Sequence, residues 1–141
     1  MTVSRKLRVG SLLVFGLLGI GTRAAAQSTA QAQSVSARPS HAAQLKGALR
    51  TALAAQLRYR ASRGTFAQSA DLLRLPPAPG VHVEILAAGS SGWQARARHM
   101  ELPGRSCVIF VGRLDGNEAP RTDGDREMAG EAGIPLCDRM R

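Results

Sequence analysis

Two short segments of strict alternation, separated by a Gly-Ser turn, constrain this chain more than anything else in it. Val81, Val83, Ile85 and Ala87 fall on one side of an extended chain, with His82, Glu84 and Leu86 on the other. Trp93, Ala95, Ala97 and His99 oppose Gln94, Arg96, Arg98 and Met100 in the same way. Successive side chains of a strand point to opposite faces, and Gly89-Ser90-Ser91-Gly92 supplies the chemistry of a turn. A hairpin of 81–87 with 93–100 is expected. Charge constrains its register. Opposed residues share a face, and a slip of one residue exchanges the faces. Keeping the Val81 set beside the Trp93 set requires a loop of three or five residues. A loop of four would place Arg96 and Arg98 among the valines and bury charge without partners. With a loop of five, Glu84 lies opposite Arg96 and His82 opposite Arg98 on the outer face. His82 and His99 then point to opposite sides of the sheet, which argues against a shared metal. Residues 106–112, SCVIFVG, are apolar on both faces and read as a central strand.

Upstream, Leu45, Leu49, Leu53 and Leu57 recur every four residues, with Ala48, Ala52 and Tyr59 beside them. At helical spacing these positions form one broad apolar stripe, with Lys46, Arg50, Arg58 and Ser62 outside it. The pattern predicts an amphipathic helix over 41–63, capped by Ser40 at its start and Gly64 at its end. Arg58, Arg60 and Arg63 crowd the last turn, where cations complement the helix dipole; a binding patch is the alternative reading. A short amphipathic piece over 69–75 follows, and Pro76-Pro77-Ala78-Pro79-Gly80 ends it as a stiff connector. Residues 113–141 have no periodicity, and Ile134-Pro135-Leu136-Cys137 leads back to the sheet. The expected fold class is α+β: one long N-terminal amphipathic helix packed on a three- to four-stranded antiparallel sheet. Its core would be Leu45, Leu49, Leu53, Leu57, Tyr59, Val83, Ile85, Trp93, Ile109 and Val111.

The N-terminus bears on the compartment. Arg5, Lys6 and Arg8 form a basic region, and no acidic residue precedes Asp71. The uncharged run VGSLLVFGLLGIG over 9–21 is shorter than the roughly 20 apolar residues that span a bilayer, and it fits a signal-peptide core. Ala24-Ala25-Ala26 offers a cleavage site, leaving Gln27 as the mature N-terminus; an uncleaved anchor is the alternative. No cysteine sits near that site to carry a lipid. The expected division is a signal peptide over 1–26, a flexible polar linker over 27–39 (QSTAQAQSVSAR before Pro39) and a globular domain over 40–141. Export makes Cys107 and Cys137, the two cysteines of the chain, a disulfide pair; two free thiols are the alternative. The bridge would close about 30 residues and contribute about 3–4 kcal/mol.

Of the 19 basic residues four lie in 1–26, which holds no acid, so 15 basic face 10 acidic groups after cleavage. That excess is mild. Only five aromatic residues occur, three Phe, one Trp and one Tyr, too few for a base-stacking platform.

The order of helix, connector, antiparallel sheet and late disulfide-closed loop resembles the headgroup of type IV pilins and type II secretion pseudopilins. The resemblance rests on QLRYRASRGTFAQSADLL (56–73), GVHVEILAAGSSGWQARA (80–97), SCVIFVG (106–112) and GIPLCD (133–138), and it covers roughly 41–138. The chain departs from the family at its start. Pilins carry a glutamate five residues beyond the leader glycine; here Gly10 is followed at that position by Phe15, and Arg23 ends the apolar run early. The resemblance therefore implies a pilin-like head delivered without the helix that packs a filament.

Catalytic motifs are absent from the sequence: no G-x-S-x-G elbow occurs, and His41, His82 and His99 read as surface or edge residues. Neither an enzyme nor a cofactor is expected. Asp123, Asp125 and Glu127 alternate as calcium ligands do, and the resemblance adds that some pseudopilin heads bind calcium in this region; a solvated acidic turn is the alternative. Arg96, Arg98, Arg105 and Arg113 could gather into a basic patch touching DNA phosphates, weakly and in a salt-sensitive way. The expected function is a periplasmic or extracellular, non-catalytic pilin-like module that binds protein partners in the cell envelope. The alternatives are a membrane-anchored minor pilin or pseudopilin, a small secreted enzyme, and a weak DNA-binding protein.

Overall fold

The computed structural model describes residues 38–114 and 116–140. The expected signal peptide, and the expected linker up to residue 37, lie outside the described residues. Among the described residues, no helix is long and apolar enough to cross a membrane.

The one α-helix among the described residues, α1, runs His41–Arg63. Its ends are where the capping residues put them. Ser40 Oγ accepts the Ala43 amide N–H at 3.2 Å, which satisfies one of the first orphan donors. Gly64 takes a φ of 75° and donates its N–H to Arg60 O at 2.8 Å, the left-handed termination that glycine adopts without a Cβ penalty. A single 3-10 turn, Asp71–Leu73, stands where the short amphipathic piece was expected. Four strands follow: β1 Val81–Ala88, β2 Gly92–His99, β3 Ser106–Gly112 and β4 Leu136–Cys137. They form one antiparallel sheet in the order β1-β2-β3-β4.

The hairpin faces are as expected, but the loop is not. Gly89 N–H donates to Gly92 O at 2.9 Å and Ala88 pairs with Trp93, so Ser90 and Ser91 alone make the connection. An even loop of this kind would set Arg96 on the core face. A register shift between Ile85 and Ala87 prevents it, so that Ile85 pairs with Ala95, Glu84 with Arg96 and His82 with Arg98. The extra residue of a β-bulge thus restores the parity that charge burial demands. The bulge also substitutes Ala88 for Ala87 on the core side.

α1 lies across one face of the sheet. Leu45, Leu49 and Ala52 pack with Phe66, Trp93, Ala95, Ala97, Cys107 and Ile109, all within 1% of complete burial. Leu53, Val83, Ile85 and Val111 are partly buried against this cluster, and Tyr59 against a smaller one around Ala55, Ala67 and Leu73. Leu57 is not core: it is 49% exposed. The reason is rotational. Each four-residue step advances about 40° beyond a full turn, so by Leu57 the stripe has drifted about 120° from Leu45. The line through Leu45, Leu49 and Ala52 continues instead to Gln56, which is fully buried.

Part of the other face, along β2 and β3, is covered by the C-terminal segment. Gln94 Nε2 donates to Glu118 O at 2.7 Å, and Asp123 N–H donates to Ser106 Oγ at 2.8 Å. Cys107 and Cys137 are cross-strand partners joined by a disulfide, which returns the end of that segment to the sheet.

Candidate functional site

Polar chemistry concentrates on this outer face, where β2 presents Arg96 and Arg98 and the C-terminal segment supplies acids. Arg96 donates from Nη1 to Asp123 Oδ1 at 2.7 Å and from Nη2 to Glu84 Oε2 at 3.0 Å. Arg98 donates from Nε to Asp123 Oδ2 at 2.6 Å and from Nη1 to Glu84 Oε2 at 3.3 Å. Two guanidinium groups and two carboxylates thus close a four-membered ring across β1, β2 and the loop. Glu84 and Arg96 meet because the bulge sets their register. Asp123 reaches them because its own amide is held by Ser106.

Beside the ring, Asp125 accepts the Arg139 amide at 2.7 Å and Arg105 Nη1 at 2.9 Å. Asp138, 2% exposed, gathers the amides of Ser106 at 2.8 Å, Gly124 at 3.0 Å and Asp125 at 2.6 Å. Burial pushes the Asp138 carboxyl up, but these amides and the Thr122 side chain outweigh it and hold it below the ordinary carboxylate range. Burial likewise opposes ionisation of Asp123, and Arg98 and Arg96 reverse it to the same net direction. At Asp125 the Arg139 amide is the leading cause of a lowered value, with Arg105 adding to it.

The two sets of residues singled out from the sequence therefore meet each other. The calcium set supplies Asp123 and Asp125, and the basic set supplies Arg96, Arg98 and Arg105 as their counter-ions. Glu127, the third acid, has its Oε1 3.9 Å from Arg139 Nη2. Chemically the arrangement locks a loop to a sheet: Asp123 and Glu84 face guanidinium groups, and Asp138 faces backbone amides. Arg113 stands apart, on a cleft of about 370 Å3 that it shares with Gln94, Phe110 and Asn117. A groove of about 520 Å3 lies between α1, the proline connector and β1, with Thr51, Asp71, Arg74, Pro76 and His82 on its walls.

Histidine placement brings a further difference. His82 is exposed, and the hairpin separates it from His99 as expected. His99, however, is only 6% exposed, and its ring lies 4.3 Å from that of His41. Glu101 Oε2 is 2.8 Å from His41 Nε2. The partner of His99 is thus at the start of α1, and no local pattern in the sequence announces a pairing across so many residues.

No protein-family model matches this chain, and no curated protein is significantly similar to it.

Proposed function

We propose that this protein works outside the cytoplasm as a non-catalytic interaction module with the build of a pilin-like head. The observation that carries this reading is the Cys107–Cys137 bond, which ties β3 to the end of the segment covering the sheet. Disulfides of this structural kind persist in oxidising compartments. One helix lying across a four-stranded antiparallel meander, with a late loop returned by a bridge, suits the resemblance to pilin and pseudopilin heads. In this reading α1 is the amphipathic N-terminal helix of the head, and the leader is removed near Ala26.

Support for a binding role comes from large apolar side chains on the surface. Leu57 on α1 is 49% exposed, Leu72 in the 3-10 turn 52%, and Met128 and Ile134 in the C-terminal segment 44% and 53%. Where such side chains adjoin one another they suit a protein partner, here one in the cell envelope. The polar seam supplies rigidity instead of chemistry: it fixes the loop that carries Met128 and Ile134. A fusion of residues 1–40 to a phosphatase that is active only once its own disulfides form tests the export half of the reading. Activity in intact cells is expected, and a cytoplasmic, inactive fusion would overturn it. Photo-cross-linkers placed at Leu57 and Ile134 test the binding half. A cross-link to one envelope protein is expected from these positions and not from Lys46; equal or no labelling would overturn it.

A further inference from the structure

We propose that His41, His99 and Glu101 form a binding site for a divalent metal of the zinc type, a role independent of the function proposed above. Each residue offers one ligand atom, and the three atoms lie within 4.8 Å of one another. Two imidazoles and one carboxylate are a donor set that borderline divalent metals favour, at bond lengths of about 2.0–2.2 Å. Ligand atoms around a tetrahedral ion of that size stand about 3.3 Å apart. The 2.8 Å contact between His41 Nε2 and Glu101 Oε2 therefore opens by about half an ångström, and no separation need close by more than about 1.5 Å. Both movable groups have room, since the His41 and Glu101 side chains are 36% and 67% exposed.

His99 is the fixed member. It is 6% exposed, and Gly80 packs against its ring so closely that a Cβ there would come within 2.7 Å of Nε2. The Glu101 amide donates to His99 Nδ1 at 3.2 Å, so the lone pair of the neutral ring is at Nδ1. A metal taking that lone pair displaces one long hydrogen bond and no proton. At His41 the nitrogen facing Glu101 is the donor in their hydrogen bond, so a metal bound there takes the neutral ring in its other tautomer, with the proton at Nδ1. The carboxylate partly offsets the ion's charge, which the nearby N-terminal end of α1 would otherwise oppose. Three protein ligands leave a fourth position open on the solvent side, where water or a ligand from another molecule completes the shell.

The test is titration of the untagged, chelator-treated protein with Zn2+ by calorimetry, and with Co2+ by visible absorption. One ion per chain, in the micromolar range or tighter, and a tetrahedral Co2+ spectrum are expected. Glu101→Gln and His41→Ala, both at partly exposed positions, should each weaken binding at least about tenfold. His82→Ala, outside the cluster, should bind as the parent does. His99→Ala adds to the case only if its far-ultraviolet dichroism matches the parent. No micromolar binding by the parent, or binding that survives both Glu101→Gln and His41→Ala, would overturn the proposal.

Discussion

Gln56 holds Ala67 by both ends of its amide: Nε2 donates to Ala67 O at 2.8 Å, and Oε1 accepts the Ala67 amide at 2.7 Å. The side chain acts as a short piece of backbone, pairing the chain after α1 as a strand would. It sets Phe66, whose own amide donates to Gly89 O at 3.0 Å, over Trp93 at 6.5 Å between ring centroids. A buried polar residue in the middle of an apolar stripe is tolerated because every group it brings, and both groups it meets, are satisfied.

Replacing Gln56 by Leu keeps much of its volume but orphans the buried N–H and C=O of Ala67. Each unsatisfied group costs about 1–3 kcal/mol, so Gln56→Leu should destabilise by about 2–6 kcal/mol. Chemical denaturation with the disulfide intact measures this. A change under about 1 kcal/mol would mean that water takes over both bonds.

Trp93 makes the opposite case. It is fully buried, and its indole Nε1 has no hydrogen-bond partner among the described residues. Trp93→Phe removes that unsatisfied donor along with some packing and should cost less than about 1.5 kcal/mol. Trp93→Ala opens a cavity under α1 and should cost about 3–5 kcal/mol. Paired denaturation curves of the two variants separate packing from polarity at this site.

Acid should loosen the C-terminal segment first. Asp123, Asp125 and Asp138 all have carboxyl values held below the ordinary range. The unfolded chain therefore binds more protons at low pH, and stability rises with pH across that window. The contribution is complete above the unfolded carboxylate value of about 4 and is lost as pH falls through the lower folded values. Urea midpoints taken between neutral pH and about pH 2 should fall steeply below pH 4, and Asp138→Asn should flatten that fall while lowering stability at neutral pH. An unchanged slope in Asp138→Asn would contradict the role given to its buried carboxylate.

What the sequence announced and what it hid divide along a physical line. Ser40, Gly64 and the alternation of 81–99 act through neighbours in the chain, so the helix ends, the strand bounds and the faces of Arg96 and Arg98 were legible. Leu57 leaves the core because a four-residue repeat drifts around a helix, and the same arithmetic points to Gln56 in its place. The bulge at Leu86 was not legible, since an odd loop or an even loop with one extra residue yields the same faces. Pairings across space left no pattern to read. Asp123 with Arg96, separated by 27 residues, and His41 with Glu101, separated by 60, depend on how the C-terminal segment and the helix start fold back. Asp123, Arg96 and His41 stand out in the sequence one at a time, and Glu101 does not stand out at all; none of these pairings is written in a local pattern.

Removing the bridge with a Cys107→Ser, Cys137→Ser double variant should cost about 3–4 kcal/mol, the loop-closure value for the 30-residue separation of the two cysteines. The loss should be larger at low pH, where the aspartates no longer hold the same segment. Equal losses at both pH values would mean that bridge and ion pairs stabilise different regions.

The most direct test of the central claim is the intact mass of the native protein from fractionated cells, measured with and without reduction. A species beginning at Gln27 in the periplasm or medium, gaining about two mass units when its disulfide is reduced, is the predicted result. A membrane-bound species beginning at Ser11, or one that gains no mass on reduction, would contradict it.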